Sequence, residues 1–370
     1  MRGHVYKRGT TWTVVCDEGH DEHGRRRQRS KGGFATRRDA QRFLTDVLAR
    51  LGDGSYAQPS KLTLAEFLEG EWLPAVEGTL RPLSVQTYAA LIRGHMVPRL
   101  GSLRLQAVTG GHLNSLYREL EQAGLSVSTR RLTHAVLHRA LKDAVRWGKL
   151  VRNPADLADP PAKARTRVEA WTAAELVRFL EHVRDDRLFP LWRLAATTGM
   201  RRGELAGLTW RCLDLDGARL AVEQQLVRTR DGVVFGPPKS DRSRRTVALD
   251  PETIRVLRDH RETQLLERDF AGEGYDDRDL VFADELGGPI HPAQLTRWFA
   301  RDRRNAGLTV GTLHILRHTV ATLALTEGVP VHIVAARLGD DPNTVLATYA
   351  HLLPRSDEQA AERVAALIAG

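Results

Sequence analysis

The chain has 370 residues, 42% of them hydrophobic, and a formal net charge of +9 at pH 7. No run of about 18 apolar residues occurs and the N-terminus lacks an apolar stretch, so we expect neither a membrane span nor a secretory signal peptide. The two cysteines, Cys16 and Cys212, match no metal-ligand spacing. This argues against a disulfide framework and fits a reducing cytoplasm.

The positive charge is concentrated in the first part of the chain. Residues 1–50 hold 12 Lys and Arg against 6 Asp and Glu, residues 51–156 hold 13 against 9, and residues 157–370 hold 30 against 31. The excess lies in the first two segments, as expected of parts that grip a polyanion. Charge alone also fits a protein that is basic for other reasons.

The first 57 residues predict a small DNA-binding module. Strands are expected near 4–6, 11–16 and 25–34, and a helix begins at Thr36, where Thr36 and Asp39 resemble a capping box. Residues 52–60 have the composition of a linker. The basic strand supplies the expected DNA contacts, which are Arg25, Arg26, Arg27, Arg29 and Lys31.

Residues 62–157 predict an all-helical domain. Helices are expected near 63–72, 84–97, 109–123 and 126–148. The last of these carries candidate DNA contacts at Arg130, Arg131, Arg139 and Lys142, and an apolar stripe at Leu132, Val136, Leu137, Leu141 and Val145. The Pro-rich, basic segment 153–167 cannot continue a helix and marks a hinge between domains.

Residues 165–370 predict a mixed domain, whose first helix is expected to open with a capping box between Thr172 and Glu175. Strands are expected near 219–229, 232–235 and 244–249, among helices at 188–198, 251–270, 292–306, 313–327, 330–338, 342–351 and 357–369. The predicted fold class is therefore α+β and mainly helical: a three-stranded N-terminal sheet with one helix, an all-α domain, and a helical domain that holds a small antiparallel sheet.

Three local patterns carry polar side chains suited to chemistry. In residues 198–204 (TGMRRGE), a glycine-flanked break starts a helix near Arg201, where a guanidinium and backbone N–H groups suit an anion. In residues 314–318 (HILRH), His314 and Arg317 share one helix face. The third pattern places Tyr349 in a helix that begins at Asp341-Pro342.

Each pattern also has an ordinary structural explanation. Arg201 and Glu204 have the spacing of a surface ion pair, and Tyr349 alone fits a core aromatic with its hydroxyl at the surface. His314 and His318 have a zinc-ligand spacing, but no third ligand follows. Lys239 is the only lysine after residue 163 in an arginine-rich chain, and lysine titrates more readily than arginine, so Lys239 is a candidate proton donor.

Taken in order, Arg201, Lys239, His314, Arg317 and Tyr349 resemble the active-site signature of the tyrosine recombinases of the phage-integrase family. The layout is similar too: residues 1–57 as an arm-type DNA-binding module, 62–157 as a helical core-binding domain and 165–370 as the catalytic domain. The resemblance implies that the last two domains close around DNA about the hinge at 153–167.

The resemblance also implies a role for each residue. Arg201 and Arg317 would hold the non-bridging oxygens of a phosphodiester, and Tyr349 would attack phosphorus to form a 3′-phosphotyrosine. His314 would take the proton of the tyrosine, and Lys239 would protonate the departing 5′-oxygen. Glu204 is expected to orient Arg201 or Lys239. The resemblance implies no metal and no nucleotide cofactor.

Asp340 departs from the family pattern, since relatives usually have His or Trp there. An ionised aspartate cannot donate a hydrogen bond to phosphate and repels it. Three alternatives follow for Asp340: it caps the next helix, it pairs with an active-site cation, or it weakens the site. Capping by Asp340 or Asp341 is the preferred expectation. His318 and His351 are candidates to replace the lost donor.

The expected partners follow from the resemblance. They are double-stranded DNA attachment sites, further copies of the chain in a tetramer on two paired sites, with 357–369 packed on a neighbour, and DNA-bending and directionality factors. The expected location is the bacterial cytoplasm, at the nucleoid. Two alternatives stay open: a topoisomerase with the same chemistry, and a DNA-binding relative that has lost catalysis.

Overall fold

The computed structural model describes residues 3–20, 26–52, 56–163, 169–229, 232–238 and 240–350, together with positions 365, 366 and 368. The side chains at 18–20, 26 and 27 are outside that description. The chain forms two compact units, Met1–Arg165 and Thr166–Gly370. In the described ranges no helix is long and apolar enough to cross a membrane. The mainly helical α+β class is confirmed.

The first unit opens with an antiparallel sheet in the order β1–β2–β3. Its strands are β1 (Gly3–Arg8), β2 (Thr11–His20) and β3 (Arg26–Phe34), and helix α1 (Arg37–Gly52) packs against it. The predicted cap is present in a modified form, because the Asp39 amide donates to the Thr36 hydroxyl at 3.1 Å, while the Asp39 carboxylate accepts from that hydroxyl at 2.7 Å instead of from the backbone amide as in a full capping box. A separate small core joins the sheet to α1 through Val14, Cys16, Ala40, Leu44 and Val47.

The rest of the first unit is helical. A π-helical segment (Glu66–Trp72) runs into α2 (Leu73–Glu77), and α3 (Pro82–Leu91) runs through a second π-helical segment (Ile92–Met96) into α4 (Val97–Leu100). Short 3₁₀ turns (Leu105–Ala107 and Pro154–Leu157) accompany the longer helices α5 (Gly110–Gln122) and α6 (Val127–Arg146). The predicted helices exist, but their π segments were not expected from periodicity.

One predicted core residue of α6 is misplaced. Leu132 is 39% exposed, whereas Val136, Leu137 and Leu141 are buried as expected. Thr133, Ala140 and Ala144 complete the buried face instead. The buried face of α6 is thus displaced from the predicted stripe at its N-terminal end, away from Leu132.

The second unit surrounds its strands with helices. Its helices are α7 (Ala173–His182), α8 (Phe189–Thr198), α9 (Arg202–Ala206), α10 (Pro251–Ala271), α11 (Pro292–Asn305), α12 (His314–Thr326), α13 (Val331–Leu338) and α14 (Pro342–Tyr349), with 3₁₀ turns at Trp210–Cys212, Asp241–Ser243 and Gly272–Gly274. The capping box predicted for α7 is present, because the Glu175 carboxylate accepts from the Thr172 amide at 2.8 Å and the Glu175 amide donates to the Thr172 hydroxyl at 3.2 Å.

The strands of this unit form two antiparallel sheets rather than one. The first joins β4 (Leu213–Asp214), β5 (Arg219–Val222) and β8 (Arg245–Ala248), and the second joins β6 (Gln225–Thr229) and β7 (Gly232–Gly236). The single strand predicted near 219–229 is thus two strands, each paired in a different sheet. The loop between β7 and β8 contains position 239, which lies outside the described residues.

Two apolar clusters hold the second unit together. The larger cluster centres on Phe179, Trp192 and Phe299. The smaller one joins α12, α13 and α14 through Ala321, Leu325, Leu338, Val345 and Tyr349. The C-terminal helix predicted at 357–369 lies outside the described residues except for positions 365, 366 and 368, which are helical.

Candidate active site

Arg201 lies at a sharp break between α8 and α9. Gly199 ends α8 with a left-handed φ of 65°, and a Cβ there would lie 2.5 Å from the Leu338 side chain, so glycine is required for both reasons. Beyond the break, Arg201 precedes the short helix α9. The break turns the guanidinium toward the loop that follows α13, where it donates to the Gly339 carbonyl at 3.1 Å.

The buried carboxylate of Glu204 holds Arg201 in place through two hydrogen bonds. It is 1% exposed and accepts from Arg201 Nη1 at 2.8 Å and from the Arg201 backbone amide at 3.0 Å. The backbone amide predicted to bind an anion is therefore already occupied by Glu204. The surface ion pair considered for Arg201 and Glu204 is wrong, because the carboxylate is buried.

Arg245, on β8, is the second arginine that pairs with Glu204. It was not predicted from the sequence as a site residue. Its Nη2 donates to Glu204 at 3.0 Å, and its Nε donates to the Arg337 carbonyl at 2.6 Å. Burial alone would raise the pKa of Glu204, but the charge of Arg245 and the hydrogen bonds from Arg245 and Arg201 hold that pKa below its ordinary value. Glu204 is thus an ionised support for two arginines.

Arg317 reaches the same pocket from α12. Its side chain is 4% exposed, and its Nη1 donates to the carbonyls of Gly199 and Leu338 at 2.8 Å each. These carbonyls are the C-terminal groups of α8 and α13, which lack partners within their own helices. The carbonyl groups at the ends of α8 and α13 therefore fix the orientation of the Arg317 guanidinium.

Asp340 bridges the two arginines. Its Oδ1 accepts from Arg201 Nη2 at 2.5 Å, and its Oδ2 accepts from Arg317 Nη2 at 2.5 Å. Of the preferred expectation, capping by Asp340 or Asp341, the second alternative is confirmed, since Asp341 caps α14 by accepting from the Asn343 amide at 2.9 Å. Asp340 instead follows the second expectation, in which it pairs with active-site cations.

The geometry around Asp340 shows what the pocket can hold. Two guanidiniums, each fixed by other bonds, offer one N–H to each of two oxygens of a single small anion. Charge-assisted hydrogen bonds of this kind suit carboxylate and phosphate oxygens alike. A phosphodiester with two non-bridging oxygens presents the same pair of acceptors.

His314 and His318 stand one turn apart on α12, beside this pocket. Their rings meet edge to face with centroids 4.6 Å apart. His314 keeps an exposed side chain, yet partial desolvation and the charges of Arg317 and Arg201 lower its pKa. Within the described residues, no three His, Cys, Asp or Glu side chains group so as to hold a metal ion.

Tyr349, the last residue of α14, lies in the same pocket. The residue is 5% exposed, its ring packs in the small apolar cluster, and its hydroxyl lies 2.5 Å from His318 Nδ1. Burial raises the pKa of Tyr349 to about 12, with Arg317 opposing the increase and Asp340 adding to it. The tyrosine hydroxyl is therefore paired with His318, not with His314 as expected.

The loop around Lys239 is described only at the neighbouring positions. Lys239 itself lies outside the described residues. Ser240 and Ser243 share a hydrogen bond of 3.0 Å, and Ser243 accepts from Arg201 Nη1 at 3.1 Å. Ser243 therefore contacts Arg201 directly, and Ser240, the residue after Lys239, contacts it through Ser243.

The proposed DNA contacts of the first unit have varied surroundings. On α6, Arg131 and Lys142 are exposed and Arg139 is half-buried. Arg130 has a side chain only 12% exposed and pairs with Glu121 at 2.7 Å, so it stabilises the fold more readily than it contacts a ligand. Arg131 donates to the Pro161 carbonyl at 2.7 Å.

The basic residues of β3 are only partly described. Arg29 donates to the Tyr56 hydroxyl at 2.7 Å, and the Lys31 amine lies 4.3 Å from the centroid of the Phe43 ring. Arg26 and Arg27 pair through their backbone with β2, while their side chains and all of Arg25 lie outside the described part.

His318, Arg245 and Ser243 are the site residues whose roles sequence reasoning missed. His318 follows Arg317 directly and lies one turn beyond His314, so the helical spacing alone indicated that it shares their face. Arg245 and Ser243 stand in a run of basic and hydroxyl residues, SDRSRR, in which nothing local distinguishes one residue from another.

The fold and the site define the chain as a tyrosine recombinase. The sequence profile of the phage integrase family matches residues 169–355, just over half of the 370 residues, and that of an arm DNA-binding domain matches residues 4–51. The chain belongs to the phage integrase family.

Known proteins of similar sequence and structure agree. The chain is 26% identical over 371 residues to a "tyrosine recombinase XerC-like" protein of Caldanaerobacter subterraneus subsp. tengcongensis, with 95% of each chain covered. It superposes with a TM-score of 0.70 on the integrase of transposon Tn1549 solved with circular intermediate DNA, at 19% identity, with 83% of this chain and 99% of that one covered.

A lambda integrase tetramer bound to a Holliday junction gives a TM-score of 0.57 at 18% identity, covering 92% of this chain and 94% of that one. At these identities, the structural likeness shows a shared fold.

Proposed function

We propose that this chain is a site-specific DNA recombinase that integrates or excises a mobile element through a covalent 3′-phosphotyrosine intermediate. The Tyr349 oxygen attacks a backbone phosphorus, the bond to the 5′-oxygen breaks, and a 5′-hydroxyl of another strand later reverses the step. The phosphotyrosine conserves the energy of the phosphodiester, so neither a nucleotide nor a metal is needed to reseal the strand.

The observation that carries this proposal is the shared grip of Arg201 and Arg317 on the carboxylate of Asp340. In the complex, the scissile phosphate takes the place of this carboxylate, and its two non-bridging oxygens accept the N–H groups that Asp340 gives up. Fixed donors stabilise the extra charge of the pentacoordinate transition state without rearranging. Glu204 keeps Arg201 in place during this exchange.

The remaining roles complete the reaction. His314, exposed beside both arginines, donates a hydrogen bond to the phosphate. Lys239 protonates the departing 5′-oxygen, which would otherwise leave as an alkoxide. Support for Lys239 comes from Ser243, which lies four residues further along the chain and bonds to Arg201.

We further propose the organisation predicted from the sequence. Residues 62–157 form a core-binding domain that holds the crossover site, and residues 1–57 bind arm-type sites. Four copies act on two paired attachment sites, helped by DNA-bending and directionality factors. The reaction takes place in the bacterial cytoplasm, at the nucleoid. The arm-domain match and the lambda integrase tetramer support these assignments by analogy.

A suicide duplex with a nick beside the crossover tests the chemistry, because loss of the short product strand traps the covalent intermediate. We expect an SDS-stable protein–DNA adduct that is absent in Tyr349→Phe. Tyr117→Phe is the matched control, since Tyr117 also bonds to a histidine Nδ1, at 2.8 Å, but in the first unit. It should form adduct at the parental rate.

The result also separates the open alternatives. DNA binding without any adduct indicates a relative that has lost catalysis. An adduct together with relaxation of supercoils, but no strand exchange between two sites, indicates a topoisomerase. Only adduct formation and exchange together agree with a recombinase.

A further inference from the structure

We propose that His318, rather than His314, is the base that accepts the proton of Tyr349 during strand cleavage. This inference rests on the proposed function and assigns one of its proton transfers. His318 touches the attacking atom itself, so its role would be catalytic and not merely structural.

The contact between the two residues is direct. His318 Nδ1 lies 2.5 Å from the Tyr349 hydroxyl, and the two ring centroids are 5.9 Å apart. Among the described residues, His318 is the only hydrogen-bond partner of that hydroxyl. A general base must be within hydrogen-bond reach of the proton it removes, and His318 meets this condition before DNA arrives.

Other groups near the phenol are poorly placed for the task. In the DNA-free chain both oxygens of Asp340 bond to arginines, whereas the described partner of the phenol is His318. The guanidinium of Arg317 cannot accept a proton. The ring of His314 contacts the ring of His318 edge to face, and it is His318 that bonds to the phenol. His318 therefore stands between His314 and the nucleophile.

Burial, aided by neighbouring groups, keeps His318 unprotonated and able to accept a proton. Desolvation, followed by the neighbouring His314 and the charge of Arg317, lowers the pKa of His318 to about 4, with Asp340 opposing. At neutral pH the ring is neutral, so with Nε2 protonated its Nδ1 lone pair faces the phenol. A hydroxyl that bonds to phosphorus becomes strongly acidic, so a base of this strength takes the proton as the bond forms.

The step balances in atoms and charge. The Tyr349 oxygen gains a bond to phosphorus and passes its proton to His318 Nδ1. The bond from phosphorus to the 5′-oxygen breaks, and that oxygen takes a proton from Lys239. Religation reverses both transfers, with the imidazolium of His318 returning its proton to the phenol.

The decisive experiment compares His318→Asn with the parent on a suicide substrate whose scissile 5′-oxygen is replaced by sulfur. Asn can accept the hydrogen bond of the phenol but cannot take its proton. A thiolate leaves without protonation, so the sulfur substrate removes the need for Lys239. We expect His318→Asn to form adduct about 100-fold or more slowly at pH 7 on both substrates, whereas Lys239→Ala recovers on the sulfur substrate.

The pH profile separates a base from a structural support. On the sulfur substrate, the parent rate should be flat from pH 6 to pH 9, because His318 stays neutral there. The His318→Asn rate should rise about tenfold per pH unit, since it then depends on the small ionised fraction of Tyr349. A slow variant with a flat profile, or a variant as fast as the parent, overturns the proposal.

Two controls keep these outcomes interpretable. His134→Asn removes the same kind of tyrosine–histidine bond, at Tyr117 in the first unit, and should leave cleavage unchanged. If His318→Asn fails to fold, a solvent isotope effect on the parent decides, measured on the sulfur substrate, where the transfer from Lys239 is not needed. Transfer of the Tyr349 proton as the bond forms slows that reaction in D₂O, and the lack of an effect overturns the proposal. A parent that forms no adduct contradicts the proposed function instead.

Discussion

Arg317 donates from Nη2 to Oδ2 of Asp340 at 2.5 Å, across the gap between α12 and the loop after α13. A carboxylate therefore stands in the anion pocket of the DNA-free chain. Each charge-assisted bond of this kind contributes about 1.5–3 kcal/mol. A phosphate that displaces Asp340 must therefore offset the free energy of the lost bonds between Asp340 and the two arginines.

The first prediction concerns this competition. Asp340→Asn removes the negative charge that competes with phosphate and places an amide against a guanidinium. We expect the variant to keep cleavage and to bind a short core-site duplex about tenfold more tightly, which corresponds to about 1.4 kcal/mol. Fluorescence anisotropy at fixed salt measures the affinity, and adduct formation measures cleavage.

Asp340→Glu is the matched control, because it keeps the charge and so should keep the parental affinity. Asp340→His should also retain activity. If Asp340→Asn loses cleavage as completely as Tyr349→Phe, Asp340 acts directly in the reaction and the competition model is wrong.

The second prediction concerns Glu204. Glu204→Gln keeps the shape of the side chain but leaves Arg201 and Arg245 without their buried counter-ion. We expect the free energy of unfolding at pH 7 to fall by about 3 kcal/mol, together with a loss of cleavage. Urea unfolding measures the first quantity.

The pH dependence of that difference gives an internal check. The folded-state pKa of Glu204 lies below its ordinary value of 4.5, so its stabilisation is present above pH 4.5 and is lost as the pH falls through the lower folded pKa. The difference between parent and variant should thus shrink in acid. A constant difference from pH 7 down to the acid transition would contradict the ionic origin.

The third prediction concerns Gly339. It adopts a left-handed φ of 68°, and a Cβ there would lie 2.9 Å from Arg245 Nη1. Gly328 has a similar φ of 79° with nothing within 4 Å of its Cβ position. Gly328→Ala should lose about 1 kcal/mol of stability from backbone strain alone and keep cleavage. Gly339→Ala should lose more stability and slow cleavage, because Arg245 must move. Equal effects on both quantities would show that the contact with Arg245 is unimportant.

The fourth prediction concerns the N-terminal module. A chain lacking residues 1–57 keeps the whole second unit and should still form adduct on core sites. Integration into a full attachment site should fall strongly, because arm-type contacts are gone. An intermolecular integration assay, scored by junction sequencing, measures the effect. Unchanged integration would count against an arm-binding role.

Much of the architecture was predictable because its signals are local. The helix caps at Thr36 and Thr172 depend on residues three apart, and the helices follow from apolar periodicity. The meeting of Arg201, Arg317 and Tyr349 was predictable only from the resemblance to a family, since these residues are far apart in the chain.

The parts that failed depend on packing between elements. Asp340 lies in a short loop, where capping and ion pairing were both open to it. Asp340 pairs with cations because Arg201, between α8 and α9, and Arg317, on α12, both lie beside it in the folded chain. The bond from Tyr349 to His318 likewise requires α14 to pack on α12, which no spacing within either helix reveals.

The three consecutive helices α12, α13 and α14 bring Tyr349 into a pocket lined by Arg317 of its own polypeptide. The described part of one chain thus supplies both the proposed nucleophile and the arginines. In the proposed tetramer, mixed assemblies of Tyr349→Phe and Arg317→Ala chains should accordingly show no complementation, since each subunit would break a strand by itself or not at all.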